Sequence, residues 1–245
     1  MSKKRLRIFA GPNGSGKSTI FQCVNKVIGC RCFVNADEIQ KSLFEKGYLS
    51  FDKYTIIIDK ETLIEEFLRS SWSNIITNTA EICATIRVDA NRLYVDSRLV
   101  DGYFAAFIAD FVRNSMLNVV EQFTIETVLS DARKLDYIRL AKQLGYRIYL
   151  YFVSTKDVEI NIKRVVQRVK SGGHDVPEEK IRKRYDKALD NLFETLKLCD
   201  RAYLFDNSDE EWVLLAELDG NKLELKQDII PDWLNTYVLS KLIAD

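Results

Sequence analysis

Gly11-Pro12-Asn13-Gly14-Ser15-Gly16-Lys17-Ser18 decides the fold of this 245-residue chain. The stretch is a complete G-x-x-x-x-G-K-S phosphate loop. Leu6-Arg7-Ile8-Phe9-Ala10 precedes it, short and strand-like, and Ser18-Thr19-Ile20-Phe21-Gln22-Cys23-Val24 follows with apolar residues at helical spacing. Strand, glycine loop and helix in that order are the setting in which the pattern reads as a nucleotide site. The glycines let the backbone wrap a phosphate with successive N–H groups turned inward. The helix that starts there adds its positive dipole end. Gly11 to Thr19 are therefore the candidate nucleotide-binding residues. Lys17 can set an ammonium between the outer phosphates of ATP. Ser18 can give its hydroxyl to Mg²⁺, an ion that takes oxygen ligands in near-octahedral geometry.

Composition narrows the class. Apolar residues make up 47% of the chain, enough for a substantial core, and 36 basic residues balance 36 acidic ones. A neutral chain gives no global reason to expect nucleic acid or an anionic membrane as partner. Five cysteines, odd in number and scattered, and a single histidine argue against a structural metal site. The phosphate loop begins so early that no signal peptide is expected ahead of it. No apolar run reaches the ~18 residues of a membrane span. The expectation is a reduced, cytoplasmic protein.

Outward from the loop, strands alternate with helices. Cys30–Val34, Phe123–Ile125, Tyr146–Val153 and Ala202–Phe205 read as strands. Asp101–Leu117, Asp131–Leu144, Asp157–Val169 and Glu178–Leu198 read as helices. That alternation predicts an α/β P-loop kinase fold, a mostly parallel sheet with helices on both faces. The rhythm breaks over residues 49–98, which read as an insertion with a strand at Tyr54–Ile58, a helix at Lys60–Leu68 and a strand at Arg92–Val95. Residues 170–177 read as a lid loop, and residues 210–245 as a hairpin turning at Asp219-Gly220-Asn221 followed by a helix. All of it fits one domain, 1–245.

In parallel sheets ligands bind beyond the carboxyl ends of the strands. Those ends carry the phosphate loop, then Asn35 and Asp37, then Glu126 and Thr127, then Asp206 and Asn207. Phosphoryl transfer needs the phosphates held, their charge neutralised and an acceptor hydroxyl aimed in line. Asp37 reads either as the base for that hydroxyl or, with Gln40, as a helix-capping pair. Glu126 reads as a contact to metal-bound water or substrate, or as a buried carboxylate paired with a cation. Arg164 and Arg168 stand four apart on one helix, and Arg182 and Arg184 follow the glycine loop. Arginines on two helices flanking a loop suggest a lid over a triphosphate, with Lys17 and Arg168 covering charge in the transition state. The same arginines also read as ordinary solvated faces. His174 reads as a substrate contact or as a surface residue.

The order of these motifs resembles the zeta-toxin-like family of P-loop kinases. The residues that carry the resemblance are Gly11 to Ser18, Asn35-Ala36-Asp37-Glu38-Ile39, Phe123 to Ser130, Arg164 to Pro177 with its Gly-Gly-His, and Asp206-Asn207-Ser208. More narrowly the chain resembles the Gly-Gly-His branch often labelled predicted ABC-type ATPases, although the ABC motifs are missing. The resemblance implies an ATP- and Mg²⁺-dependent kinase with Asp37 as general base and Asn35, Glu126, Thr127 and His174 around the substrate. It also implies Lys17 and Ser18 on phosphate and metal, and arginines among Arg164, Arg168, Arg182 and Arg184 as a phosphate clamp. Zeta toxins phosphorylate the 3′-hydroxyl of UDP-N-acetylglucosamine and are held by an antitoxin, so a sugar nucleotide and an antitoxin are the partners implied. Val128 departs from the pattern, since many relatives have a second threonine there. Two other readings stay open: a nucleotide-gated binding module with little turnover, and a kinase for nucleosides or nucleic-acid ends.

Overall fold

The phosphate loop leaves strand β1 (Arg5–Ala10) and enters helix α1 (Lys17–Ile28) in the computed structural model, which describes residues 4–30, 32–173 and 175–244. The chain continues through β2 (Phe33–Val34), α2 (Ala36–Lys46), β3 (Leu49–Ser50), α3 (Lys60–Arg69), α4 (Thr79–Thr85), β4 (Arg87–Asp89), β5 (Arg92–Tyr94), α5 (Gly102–Val119) and β6 (Gln122–Thr127). It then runs through α6 (Arg133–Gln143), β7 (Arg147–Ser154), α7 (Val158–Lys170), α8 (Glu178–Asp190), α9 (Leu192–Leu198) and β8 (Arg201–Asp206). The hairpin β9 (Val213–Asp219) and β10 (Lys222–Leu225) precedes two short helical pieces, α10 (Asp232–Leu234) and α11 (Ser240–Ala244), joined by a π turn at Asn235–Leu239. No helix among the described residues is long and apolar enough to cross a membrane.

The fold is α/β, and seven strands form its mixed main sheet. The chain divides into two compact units, residues 1–30 with 126–245, and residues 31–125. The first unit holds five of the seven strands, in the order β10-β9-β8-β7-β1. β7 lies parallel to both β1 and β8, with Leu150 opposite Ile8 and Ala202. Its last five residues, Tyr-Phe-Val-Ser preceded by Leu150, are all buried, as a strand covered on both faces requires. α1 packs Ile20 onto Phe9, Tyr151, Val153 and Phe205, and the Phe9 and Tyr151 rings stack at 4.5 Å. This packing seats the helix start at the carboxyl end of β1, which places the loop.

The second unit contains the parallel pair β2–β6, with Phe33 opposite Thr124, and a three-stranded antiparallel sheet in the order β3-β5-β4. Its core is aromatic: Phe67 lies 5.6 Å from Phe104, and Phe51 lies 6.3 Å from Phe111. The unit takes in α2, α5 and most of β6, so the division falls outside residues 49–98 on both sides.

Three local expectations fail. Tyr54–Ile58 is not a strand: a 3-10 turn occupies Asp52–Tyr54 and the residues after it, to Ile58, have no regular structure. Asn91, in the left-handed region at φ 57°, accepts from Ile58 N and donates to Ile56 O, so one side chain replaces a strand partner. The helix expected over Glu178–Leu198 breaks at Asn191, whose Nδ2 donates to the Leu129 carbonyl at 2.8 Å. The closing helix expected after the hairpin is interrupted by the π turn at Asn235–Leu239.

Candidate functional site

The site is built in the first unit around the loop. Gly11, Gly14 and Gly16 have φ of 141°, 77° and 94°, conformations that only glycine adopts freely. Each is also pressed against a neighbour. A Cβ would come within 2.0 Å of the Val153 carbonyl at Gly11, 2.5 Å of the Asn161 carbonyl at Gly14 and 2.0 Å of Asn207 Nδ2 at Gly16. The glycines therefore serve close approach as well as turn geometry. Gly14→Ala is expected to force the loop off Asn161 and weaken ATP binding by about 5- to 150-fold, through strain of about 1–3 kcal/mol. Isothermal titration with ATP and Mg²⁺ measures it.

Buried backbone polar groups need partners, and the loop's carbonyls have them. Lys17 Nζ donates to Gly11 O and Pro12 O, both at 3.0 Å. Asn161 Nδ2 donates to Asn13 O at 2.7 Å, and Asn207 Nδ2 to Ser15 O at 2.8 Å. Gly16 O accepts from the N–H groups of Thr19 and Ile20. The donors are left over. Among the described residues, the N–H groups of Asn13, Gly14, Gly16 and Ser18 find no acceptor. The hydroxyl of Ser15, a fully buried residue, also has no hydrogen-bond partner. Orphaned donors beside a lysine ammonium, at the start of a twelve-residue helix with no acidic residue in its first turn, form an anion cradle.

Glu126, next to last in β6, has its Oε1 3.7 Å from Lys17 Nζ, and both side chains are largely buried. Thr127 Oγ1 accepts from Leu129 N at 3.2 Å and fixes the turn after the strand, where Leu129 itself sits at φ 63°. Ser18 and Thr19 are exposed in the first turn of α1.

The four arginines have different surroundings. Arg184 Nη1 donates to Asn13 Oδ1 at 3.2 Å, which ties α8 to the loop. Arg164 Nη1 donates to the Asn207 carbonyl at 2.6 Å, behind the loop. Arg182 is engaged by Glu159 and Glu178, and these hydrogen bonds raise its pKa above the ordinary arginine value. Arg168 packs against the glycine turn, where a Cβ on Gly173 would come within 2.5 Å of Arg168 Cγ. α7 and α8 are joined by Ile162, Val165, Val176 and Ile181, each worth roughly 1.5–3 kcal/mol when buried. Burial pushes the Tyr185 phenol up to about 12, and its hydroxyl donates to the Thr155 carbonyl at 2.6 Å. His174 lies outside the described residues.

Asn35 and Asp37 belong to the second unit. Asn35 is the N-cap of α2: its Oδ1 accepts from Asp37 N at 2.7 Å and from Glu38 N at 3.2 Å. The capping alternative for Asp37 is thereby answered, because the cap is Asn35. At the end of β8, Asp206 is also occupied. Its Oδ1 accepts from Ser208 N and its Oδ2 from Trp233 Nε1 at 2.7 Å.

Asn161 is the site residue that the sequence reading missed. A signal was present: it falls three residues after Val158 and four before Val165, on the apolar stripe of α7. A polar residue on such a face calls for a partner.

No family model matches the chain. An uncharacterized protein of Haemophilus influenzae is 36% identical over 63 residues, which make up 26% of this chain and 45% of that protein. Among solved structures, the complex of AvrRxo1-ORF1 with AvrRxo1-ORF2 and ATP matches over 91% of this chain with a TM-score of 0.57 and 18% identity. The PezAT chromosomal toxin–antitoxin system of Streptococcus pneumoniae matches over 97% of this chain and 80% of its own, with a TM-score of 0.53 and 15% identity. The chain shares the α/β fold of these solved structures. Likeness at these identities establishes the fold. The chain spans 61% of the AvrRxo1 chain and less than half of the Haemophilus protein.

Proposed function

We propose that this protein is an ATP- and Mg²⁺-dependent phosphotransferase acting on a hydroxyl of a small molecule. The observation that carries the reading is the set of loop N–H groups without acceptors beside the buried Lys17 ammonium. An anion with several acceptor oxygens satisfies such a set, and a triphosphate chain is one. Gly11 to Thr19 hold the nucleotide. Lys17, Arg168 and Arg184 offset charge on the transferring group, with Arg164 and Arg182 on the same lid helices. Ser18 offers an oxygen to magnesium, which would supply charge neutralisation on the outer phosphates. Asp37 takes the acceptor's proton, while Asn35, Glu126, Thr127 and His174 contact the acceptor.

The motif order and the fold shared with a toxin–antitoxin system support a UDP-sugar such as UDP-N-acetylglucosamine as the acceptor and an antitoxin chain as a protein partner. The test is ³¹P NMR of the protein with ATP, Mg²⁺ and a panel of UDP-sugars and nucleosides. ADP and a new phosphomonoester signal that require one UDP-sugar are the expected result. ATP binding without acceptor-dependent ADP release would make the protein a nucleotide-gated binding module. Transfer to nucleosides or oligonucleotide ends alone would replace the sugar acceptor.

A further inference from the structure

We propose that Asn161 and Asn207 are positioning residues that fix the peptide planes of the phosphate loop with their N–H groups toward the nucleotide. The inference rests on the nucleotide-binding reading above. A peptide plane has two sides. If its carbonyl is anchored behind the loop, its N–H faces the other way. The two carbonyls at the crest, Asn13 O and Ser15 O, receive no donor from the loop itself. Their donors are the side-chain amides of Asn161 and Asn207. The planes so anchored carry the N–H groups of Gly14 and Gly16, two of those without an acceptor.

Both amides have their orientation set by their surroundings. A carbonyl only accepts, so the end facing it must be the NH₂. Asn161 Oδ1 lies in hydrogen-bonding contact with Thr155 Oγ1, whose hydroxyl can donate to it. Asn161 is fully buried. Asn207 is held through its backbone: its N–H donates to Ser154 O at 2.9 Å, and its carbonyl accepts from Arg164. The two anchors thus grow from the end of β7, the first turn of α7 and the end of β8. Gly14 and Gly16 rest directly on them, since a Cβ at either would collide with the anchoring asparagine. An aspartate would keep the shape at each position but set a carboxylate oxygen against a carbonyl oxygen, so the peptide plane is pushed to turn over.

N161D and N207D are the tests, with ATP, ADP and adenosine as probes, Mg²⁺ present, and binding read by titration or by ligand-observed NMR. Wild type reports on the underlying reading: if it binds neither ATP nor ADP, the nucleotide assignment fails before the anchors are tested. With wild-type binding established, each variant should lose ATP and ADP affinity at least about tenfold, while adenosine affinity changes less than twofold. Equal loss for adenosine, which carries no phosphate, would mean only general damage and would overturn the proposal. ATP affinity within twofold of wild type in a folded variant would also overturn it. Should N161D fail to fold by thermal melting, N207D decides by the same ratio.

Discussion

Lys17→Ala is expected to lower ATP turnover by at least about 10²-fold while the protein stays folded. Lys17 is 7% exposed and its ammonium rests 3.0 Å from two loop carbonyls and 3.7 Å from Glu126. Every one of those contacts lies in the loop or at the end of β6, so the ammonium is held at the loop, where the proposed function puts the outer phosphates. Removing it deletes the cation and also takes the ammonium away from a carboxylate that is only 14% exposed. Removing one partner of a largely buried ion pair costs stability. The two effects separate in the double variant Lys17→Ala/Glu126→Gln, which should recover melting temperature lost in Lys17→Ala and recover none of the turnover. Acceptor-dependent ADP release, measured beside a thermal melt, checks both. Turnover by Lys17→Ala at the wild-type rate would remove the loop from the chemistry.

The fold was readable in the sequence because its signals are local. A glycine loop between a strand and a helix, and strands alternating with helices, each follow from a few neighbouring residues, and β1, β7 and α7 stand within two residues of their expected limits, while α1 runs four residues past Val24 to Ile28. What was not readable depends on side chains that meet across long stretches of chain. Asn91 takes over the backbone of residues 56–58 from more than thirty positions away. Asn191, where α8 gives way to α9, turns its amide to the Leu129 carbonyl, 62 positions away. The same holds in the site. Gly11, Lys17 and Ser18 announce themselves by spacing, whereas the pairing of Asn161 with Asn13 joins residues 148 positions apart. Charge patterns were equally ambiguous. Four arginines read alike in the sequence, and only their neighbours distinguish Arg184 on the loop from Arg182 between two glutamates.

Asp37→Asn is expected to leave ATP affinity within about twofold of wild type and to cut phosphoryl transfer by about 10²–10⁴-fold, the range that a positioned general base contributes. The prediction is sharp because the competing role of Asp37 is already filled. Asn35 caps α2 through two hydrogen bonds from the helix's first N–H groups, so the Asp37 carboxylate is not needed to start the helix. Its remaining structural contribution is a negative charge in the first turn, about 0.3–1 kcal/mol at a surface helix, and Glu38 supplies a second charge in that same turn. The substitution keeps the side chain's shape and loses its ability to accept a proton. A melting temperature close to wild type, unchanged ATP titration and loss of ADP release only when the acceptor is present would together assign Asp37 to the transfer step. Transfer at the wild-type rate would give the base to another group. A matching loss of ATP affinity would instead make Asp37 part of the nucleotide's own surroundings.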